Sequence, residues 1–104
     1  MPSSKSYLLF ILDQLSDLEG ITYRGMMGEY ILYYKGRIIG GIYDDRLLIK
    51  PVTAAEALLP LAPLVPPYEG ARGMLLVEQV EDRQFLTELF KAMYDQLPLP
   101  KTRC

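Results

Sequence analysis

The chain has 104 residues, about the size of one domain, and its composition of 50% apolar and 23% charged residues is typical of a globular protein. Its 13 acidic and 11 basic residues are interspersed, so the formal charge of −2 gives nucleic-acid binding no electrostatic support. Histidine is absent and Cys104 is the only cysteine, which excludes an internal disulfide and metal sites built from nitrogen and sulfur ligands. A hard cation held by carboxylates stays open. We expect a single domain over residues 1–104 without a cofactor, with residues 101–104 as an inert tail.

The first predicted element is an amphipathic helix over residues 5–18. Its apolar side chains recur at helical spacing: Tyr7, Leu8, Ile11, Leu12, Leu15 and Leu18. Ser3 or Ser4 can cap its start, and Gly20 can end it in the left-handed conformation. Asp13 interrupts the apolar run before it reaches membrane-spanning length, and the N-terminus lacks a signal-peptide cleavage site. These features predict a cytoplasmic protein without a membrane segment.

Residues 21–50 predict an antiparallel meander, because they hold most of the β-branched and aromatic residues, punctuated by turn residues. Gly25 and Gly28 indicate a sharp corner after the first strand. Tight turns are predicted at Lys35-Gly36 and Asp44-Asp45. The strands between these turns are predicted over residues 29–34, 37–43 and 46–50, ending before Pro51.

The second half of the chain predicts two helices, one strand and a proline loop, residues 60–70. Thr53 and Glu56 match a capping box, which predicts a short helix to about Leu59. Residues 73–77 are apolar and continuous, typical of a strand inside a sheet. Asp82 can cap a last helix, which ends near Pro98 and Pro100. Its apolar stripe is Phe85, Leu86, Leu89, Phe90, Met93, Tyr94 and Leu97.

Together these elements predict a two-layer α+β fold in the order α-β-β-β-β-α-β-α, with an antiparallel sheet of about five strands and helices mainly on one face. The proline loop is too apolar for a solvated linker, so we expect it to be ordered over an edge or face of the sheet. Side chains along a strand alternate between the two faces of the sheet, and in the meander both alternating sets are apolar. Because the helices cover one face only, we expect a second copy or another protein to cover part of the other.

Few residues suggest catalysis. The glycine pairs Gly25/Gly28 and Gly40/Gly41 lack the strand-to-helix context of a phosphate loop, so strand geometry explains them better, with Gly40 and Gly41 leaving room for an aromatic neighbour. Asp44 and Asp45 resemble a carboxylate pair, but a hairpin tip is open to water, which favours the turn. Glu29 could face Arg24 across a hairpin, as a surface ion pair or, less favoured, as a catalytic acid.

No histidine or nucleophile elbow is present, which leaves only a lysine or tyrosine mechanism open. The tyrosines favour a core or partner surface over base stacking, because arginine and lysine are not interleaved with them. They are Tyr23, Tyr30, Tyr33, Tyr34, Tyr43 and Tyr68.

Several segments match a known family: the run from Tyr23 to Tyr33 with its Arg24-Gly25-Met26-Met27-Gly28 segment, then Gly40 to Tyr43, Leu47 to Lys50, Pro67-Tyr68 and the last amphipathic helix. With these segments the chain resembles the N-terminal domain of the TfoX/Sxy family of competence regulators. The resemblance covers nearly the whole chain. It implies an α+β domain with an antiparallel sheet, and a bacterial regulatory or interaction role without catalytic residues.

We therefore expect a non-enzymatic regulatory or protein-interaction module that forms a homodimer or binds another protein partner. The alternatives are a small-ligand-binding protein or an enzyme with a site near Arg24 and Glu29. Direct binding of nucleic acid or membrane is not expected. The candidate interaction or ligand surface consists of Tyr23, Arg24, Met27, Glu29, Tyr33 and Tyr43.

Overall fold

The computed structural model describes residues 4–26 and 28–97, which form a two-layer α+β fold. The elements in chain order are α1 (Lys5–Gln14), β1 (Ile21–Met26), β2 (Glu29–Tyr34), β3 (Arg37–Ile42), β4 (Leu47–Ile49), α2 (Thr53–Leu58), β5 (Leu64–Val65), β6 (Met74–Val77), α3 (Arg83–Met93) and a 3₁₀ segment (Tyr94–Gln96). The predicted fold class is confirmed. The predictions for Ser3, Met27, Pro98, Pro100 and residues 101–104 lie outside the described residues.

The strands form one six-stranded antiparallel sheet in the order β1-β2-β3-β4-β6-β5. Strand β6 lies between β4 and β5, inside the sheet as predicted. The sixth strand, β5, was not predicted, because it is two residues long and surrounded by prolines. Leu64 pairs with Leu75 and Val65 with Met74, and the N–H of Leu76 donates to Pro63 O at 3.1 Å.

Three tight hairpins connect the first four strands. Met26 pairs with Glu29 and Gly28 has a φ of +85°, so the predicted sharp corner is instead a hairpin turn. The predicted turns at Lys35-Gly36 and Asp44-Asp45 are confirmed. All four residues of these two turns have positive φ. Positive φ at both central residues is typical of the turns in two-residue hairpins, because their twist matches that of the flanking strands.

Local side-chain caps begin two of the helices. Ser4 Oγ accepts the N–H of Tyr7 at 3.2 Å at the start of α1, and Asp82 Oδ1 accepts the N–H of Phe85 at 3.0 Å at the start of α3. Helix α1 ends at Gln14, earlier than predicted, and Gly20 does not terminate it. With its φ of +90°, Gly20 instead turns the chain into β1.

The capping box predicted for α2 is wrong. The N-cap residue is Val52, which has no side-chain oxygen, and Thr53 is the first residue of the helix. The N–H of Ala54 donates instead to Gln96 Oε1 at 2.7 Å. The start of this helix is thus satisfied by a side chain from the 3₁₀ segment.

The helices pack on one face of the sheet, here called the inner face. Its core joins sheet residues Leu32, Tyr34, Leu47, Ile49, Leu75 and Val77 to helix residues Leu8, Ile11, Leu15, Ala55, Leu86, Phe90 and Met93. Each fully buried large aliphatic or aromatic side chain contributes roughly 1.5–3 kcal/mol. The opposite face of the sheet, here called the outer face, carries the candidate site.

Candidate functional site

The strand register assigns side chains to the outer face. In β2, Leu32 and Tyr34 belong to the core, so Glu29, Ile31 and Tyr33 occupy the opposite phase. A bulge shifts the register between Leu32 and Tyr33. It lets Ile39 enter the core while the neighbouring Ile38, paired with Tyr33, lies on the outer face. The outer face is therefore largely apolar and aromatic.

The ring of Tyr43 packs over Gly41 on this face. A Cβ atom at Gly41 would lie 2.6 Å from Tyr43 Cε2 and 2.6 Å from Tyr30 O, so only glycine leaves space for the ring. Tyr43 is consequently only 9% exposed. The expectation that glycine makes room for an aromatic neighbour is confirmed at Gly41. It is wrong at Gly40, where a Cβ atom would meet the backbone of Leu48 and Ile49 instead of an aromatic ring.

The proline loop covers the edge of the sheet and part of its outer face, as predicted. Its segment β5 pairs with β6, while Pro67 and Tyr68 lie beside Tyr43. Between the loop and the β1–β2 hairpin lies a cavity of about 460 Å³, here called the aromatic cavity. Its lining residues are Met26, Glu29, Tyr43, Pro67 and Tyr68.

A second cavity of about 450 Å³ adjoins the aromatic cavity and shares Tyr43, Pro67 and Tyr68 with it. Its lining includes the cationic residues Lys50 and Arg72. The two cavities form one groove across the outer face. Its ends differ in charge, because Glu29 lines one cavity and two cations line the other.

One carboxylate and two further tyrosine hydroxyls influence the hydroxyl of Tyr43. Burial raises the pKa of the Tyr43 hydroxyl, and Tyr68, Glu29 and Tyr33 raise it further. Tyr43 is therefore a neutral phenol at physiological pH. Glu29 Oε1 accepts the backbone N–H of Asp44 at 3.2 Å, which joins the β1–β2 hairpin to the tip of the β3–β4 hairpin.

Four of the six predicted surface residues share the outer face: Arg24, Glu29, Tyr33 and Tyr43. Arg24 pairs with Ile31 and Glu29 with Met26, so Glu29 and Arg24 are on the same face of the β1–β2 hairpin but are not directly paired. They occupy diagonal positions on the same face.

Tyr23 does not share the outer face with these four residues. It pairs with Leu32 and lies in the inner-face phase, where its ring meets Tyr30 edge-on with 5.9 Å between the ring centroids. Met27 lies outside the described residues. Sequence reasoning also missed Met26, Ile31, Ile38, Pro67 and Tyr68 as lining residues. The alternation of side chains along β2 from Glu29 could have assigned Ile31 to the outer face. The position of Tyr68 could not be predicted in this way, because it depends on the path of the proline loop.

Sequence comparison adds family membership. The uncharacterized 12.7 kDa protein in the trpE 5′ region of Spirochaeta aurantia is 30% identical over 104 residues, which cover 99% of this chain and 90% of the relative. The chain belongs to the family of this 12.7 kDa protein. No family model matches the chain, and no solved structure gives a significant match.

Across residues 4–26 and 28–97, no helix is both long and apolar enough to cross a membrane. The same residues contain no group of three or more acidic, histidine or cysteine side chains placed to hold a metal ion. The candidate functional site is the groove on the outer face.

Proposed function

We propose that the protein is a non-enzymatic regulatory or protein-interaction module, and that it acts through the outer face of its sheet. The observation that carries this proposal is the unequal cover of the two faces. Among the residues that the structure describes, three helices pack on the inner face, whereas the proline loop alone covers part of the outer face. Met26, Ile38 and Tyr68 are 47%, 39% and 65% exposed there. Clustered exposure of large apolar side chains is typical of an interaction surface.

The resemblance to the N-terminal domain of the TfoX/Sxy regulators supports the same class of function. It suggests a bacterial, cytoplasmic protein that acts in competence or transcriptional regulation through other proteins. The formal charge of −2 favours a protein partner over nucleic acid.

A second copy of the chain is the partner that we favour. A two-fold axis brings the same patch of both copies together, so the patch must complement itself. Arg24 and Glu29 carry opposite charges at nearby positions of the outer face, between apolar neighbours. Two copies in antiparallel contact can pair these charges while burying the apolar side chains.

Sedimentation equilibrium at micromolar concentration tests this interaction. We expect a mass above the 11.8 kDa of one chain, rising with concentration. Tyr33→Glu should shift the mass toward the monomer, because it introduces charge on the outer face. Tyr23→Glu introduces the same charge on the inner face of the edge strand β1 and should leave association intact. Circular dichroism verifies that both variants are folded. A constant mass of 11.8 kDa for the unmodified chain overturns the homodimer.

An enzyme remains the rival class, and a broad substrate screen separates it from a binding module. Turnover that Glu29→Gln or Arg24→Ala abolishes would contradict the proposed function. Direct DNA binding would instead produce a salt-dependent mobility shift of duplex DNA.

A second candidate function is small-ligand binding, and the aromatic cavity is the observation that favours it. Its volume of about 460 Å³ is within the range of small-molecule sites, roughly 300–1,000 Å³.

A further inference from the structure

We propose that the aromatic cavity binds the alkylammonium group of a small organic cation. This ligand class goes beyond the proposed protein interaction and does not depend on it. It specifies the chemistry of the second candidate function.

The walls of the cavity fit such a group. Two of its five lining residues are tyrosines from different elements: Tyr43 follows β3, and Tyr68 belongs to the proline loop. Aromatic rings attract cations through the negative potential of their faces, and cages of such rings recognise quaternary ammonium ligands. Met26 and Pro67 supply apolar surface for the methyl or methylene groups around the nitrogen.

Tyr43 is positioned before any ligand arrives. Its ring packs against Gly41, where no side chain could be accommodated, and the residue is almost fully buried. A preformed wall lowers the entropy lost on binding. Tyr68 is 65% exposed on the loop, so it forms the accessible wall of the same cavity.

The charge of the cavity selects a cation over an anion. Among the described residues that line the cavity, Glu29 is the one acidic side chain, and none is a lysine or arginine. The Asp44 N–H holds Glu29 Oε1 at 3.2 Å. This hydrogen bond orients the carboxylate, whose negative charge attracts a cation. An anionic ligand would instead meet the Glu29 charge in a partly desolvated site.

The cationic residues of the groove lie elsewhere. Lys50 and Arg72 line the adjoining cavity and do not line the aromatic cavity. The two ends of the groove are therefore chemically distinct, and the ammonium group is expected at the Glu29 end.

A pair of probes with the same shape tests the inference on the full chain. Choline carries a quaternary ammonium group, and 3,3-dimethylbutan-1-ol replaces its nitrogen by carbon and is neutral. The chain contains no tryptophan, so its tyrosine fluorescence can follow both titrations. We expect choline to bind at least about tenfold more tightly than the alcohol. Equal affinities, or no saturation by choline below about 50 mM, would overturn the proposal.

Two variants locate the site. Tyr68→Leu removes an exposed ring but keeps apolar bulk, and Glu29→Gln removes the charge with little change of shape. Each should weaken choline binding at least about fivefold. Glu56→Gln is the matched control, because it removes an exposed charge on α2 in the helical layer and should leave choline binding unchanged.

Unchanged choline affinity in either Tyr68→Leu or Glu29→Gln would contradict the proposed site. An equal loss of affinity in Glu56→Gln would contradict it as well. Sedimentation of the same samples without choline reports self-association separately. Failure of the cation site is thereby distinguished from failure of the proposed interaction.

Discussion

Arg37 and Tyr94 contact each other through both the ring and the backbone. The guanidinium carbon of Arg37 lies 4.3 Å from the centroid of the Tyr94 ring, and Arg37 Nη1 donates to Tyr94 O at 3.0 Å. The Tyr94 ring also meets Tyr34 edge-on, with 5.3 Å between centroids. The β2–β3 hairpin is thus joined to the segment that follows the last helix.

Arg37→Ala should destabilise the fold by about 1–2 kcal/mol, because it removes a cation–π contact and a charged hydrogen-bond donor from a half-buried site. Arg37→Lys keeps the charge but not the planar donor group, so it should reduce the stability less than Arg37→Ala does. Urea unfolding measures both changes. A loss below about 0.3 kcal/mol for Arg37→Ala would show that the contact adds little in solution.

Gln96→Ala should destabilise the protein by about 1 kcal/mol, since it removes the acceptor that caps the N–H of Ala54. Gln96→Glu retains a side-chain oxygen and places a negative charge near the start of α2, so it should be neutral or stabilising. Thermal unfolding of both variants checks this pair. Equal losses for Ala and Glu would contradict the capping role.

The features that sequence reasoning predicted correctly depend on nearby residues. The turn at Lys35-Gly36 needs two positive φ angles, which glycine and the hairpin twist supply locally. Ser4 and Asp82 each cap a backbone N–H three residues ahead. Such interactions are encoded within a few residues, so a pattern reveals them.

The features that were missed depend on residues far apart in the chain. The cap of Ala54 comes from Gln96, 42 positions away, and no local pattern indicates it. The aromatic cavity requires Tyr68 to be carried by the proline loop to Tyr43. The face on which Tyr23 lies could not be predicted either, because both alternating sets of side chains along the meander are apolar.

Gly40→Ala should destabilise the fold by about 1–3 kcal/mol through overpacking. A Cβ atom there would collide with Leu48 O and lie 2.8 Å from Ile49 Cα, and neither backbone atom can move without disturbing β4. Gly25→Ala is the matched control in strand β1, because its nearest contact would be an ordinary 3.7 Å to the Tyr30 ring. Denaturant unfolding should separate the two variants. Similar stability of both would mean that β3 and β4 can shift apart at little cost.

Tyr43→Phe should reduce the loss of stability at alkaline pH. Burial first, and then Tyr68, Glu29 and Tyr33, raise the pKa of the folded Tyr43 hydroxyl above its usual 10.0. As pH rises past 10.0, the unfolded chain releases this proton while the folded chain retains it, so the free energy of unfolding falls until the folded pKa is passed. Below that window the hydroxyl is protonated in both states and causes no pH dependence.

Phenylalanine at position 43 keeps the ring over Gly41 but has no proton to release. The decrease in the free energy of unfolding between about pH 8 and about pH 10.5 should therefore be smaller in the variant than in the unmodified chain. A part of the decrease should persist, because burial, together with the charge of Asp45, also raises the pKa of Tyr7. Urea unfolding at both pH values measures the difference. Identical decreases in the two proteins would show that Tyr43 titrates alike in the folded and unfolded states, and that the cavity wall it forms is more hydrated than the packing over Gly41 indicates.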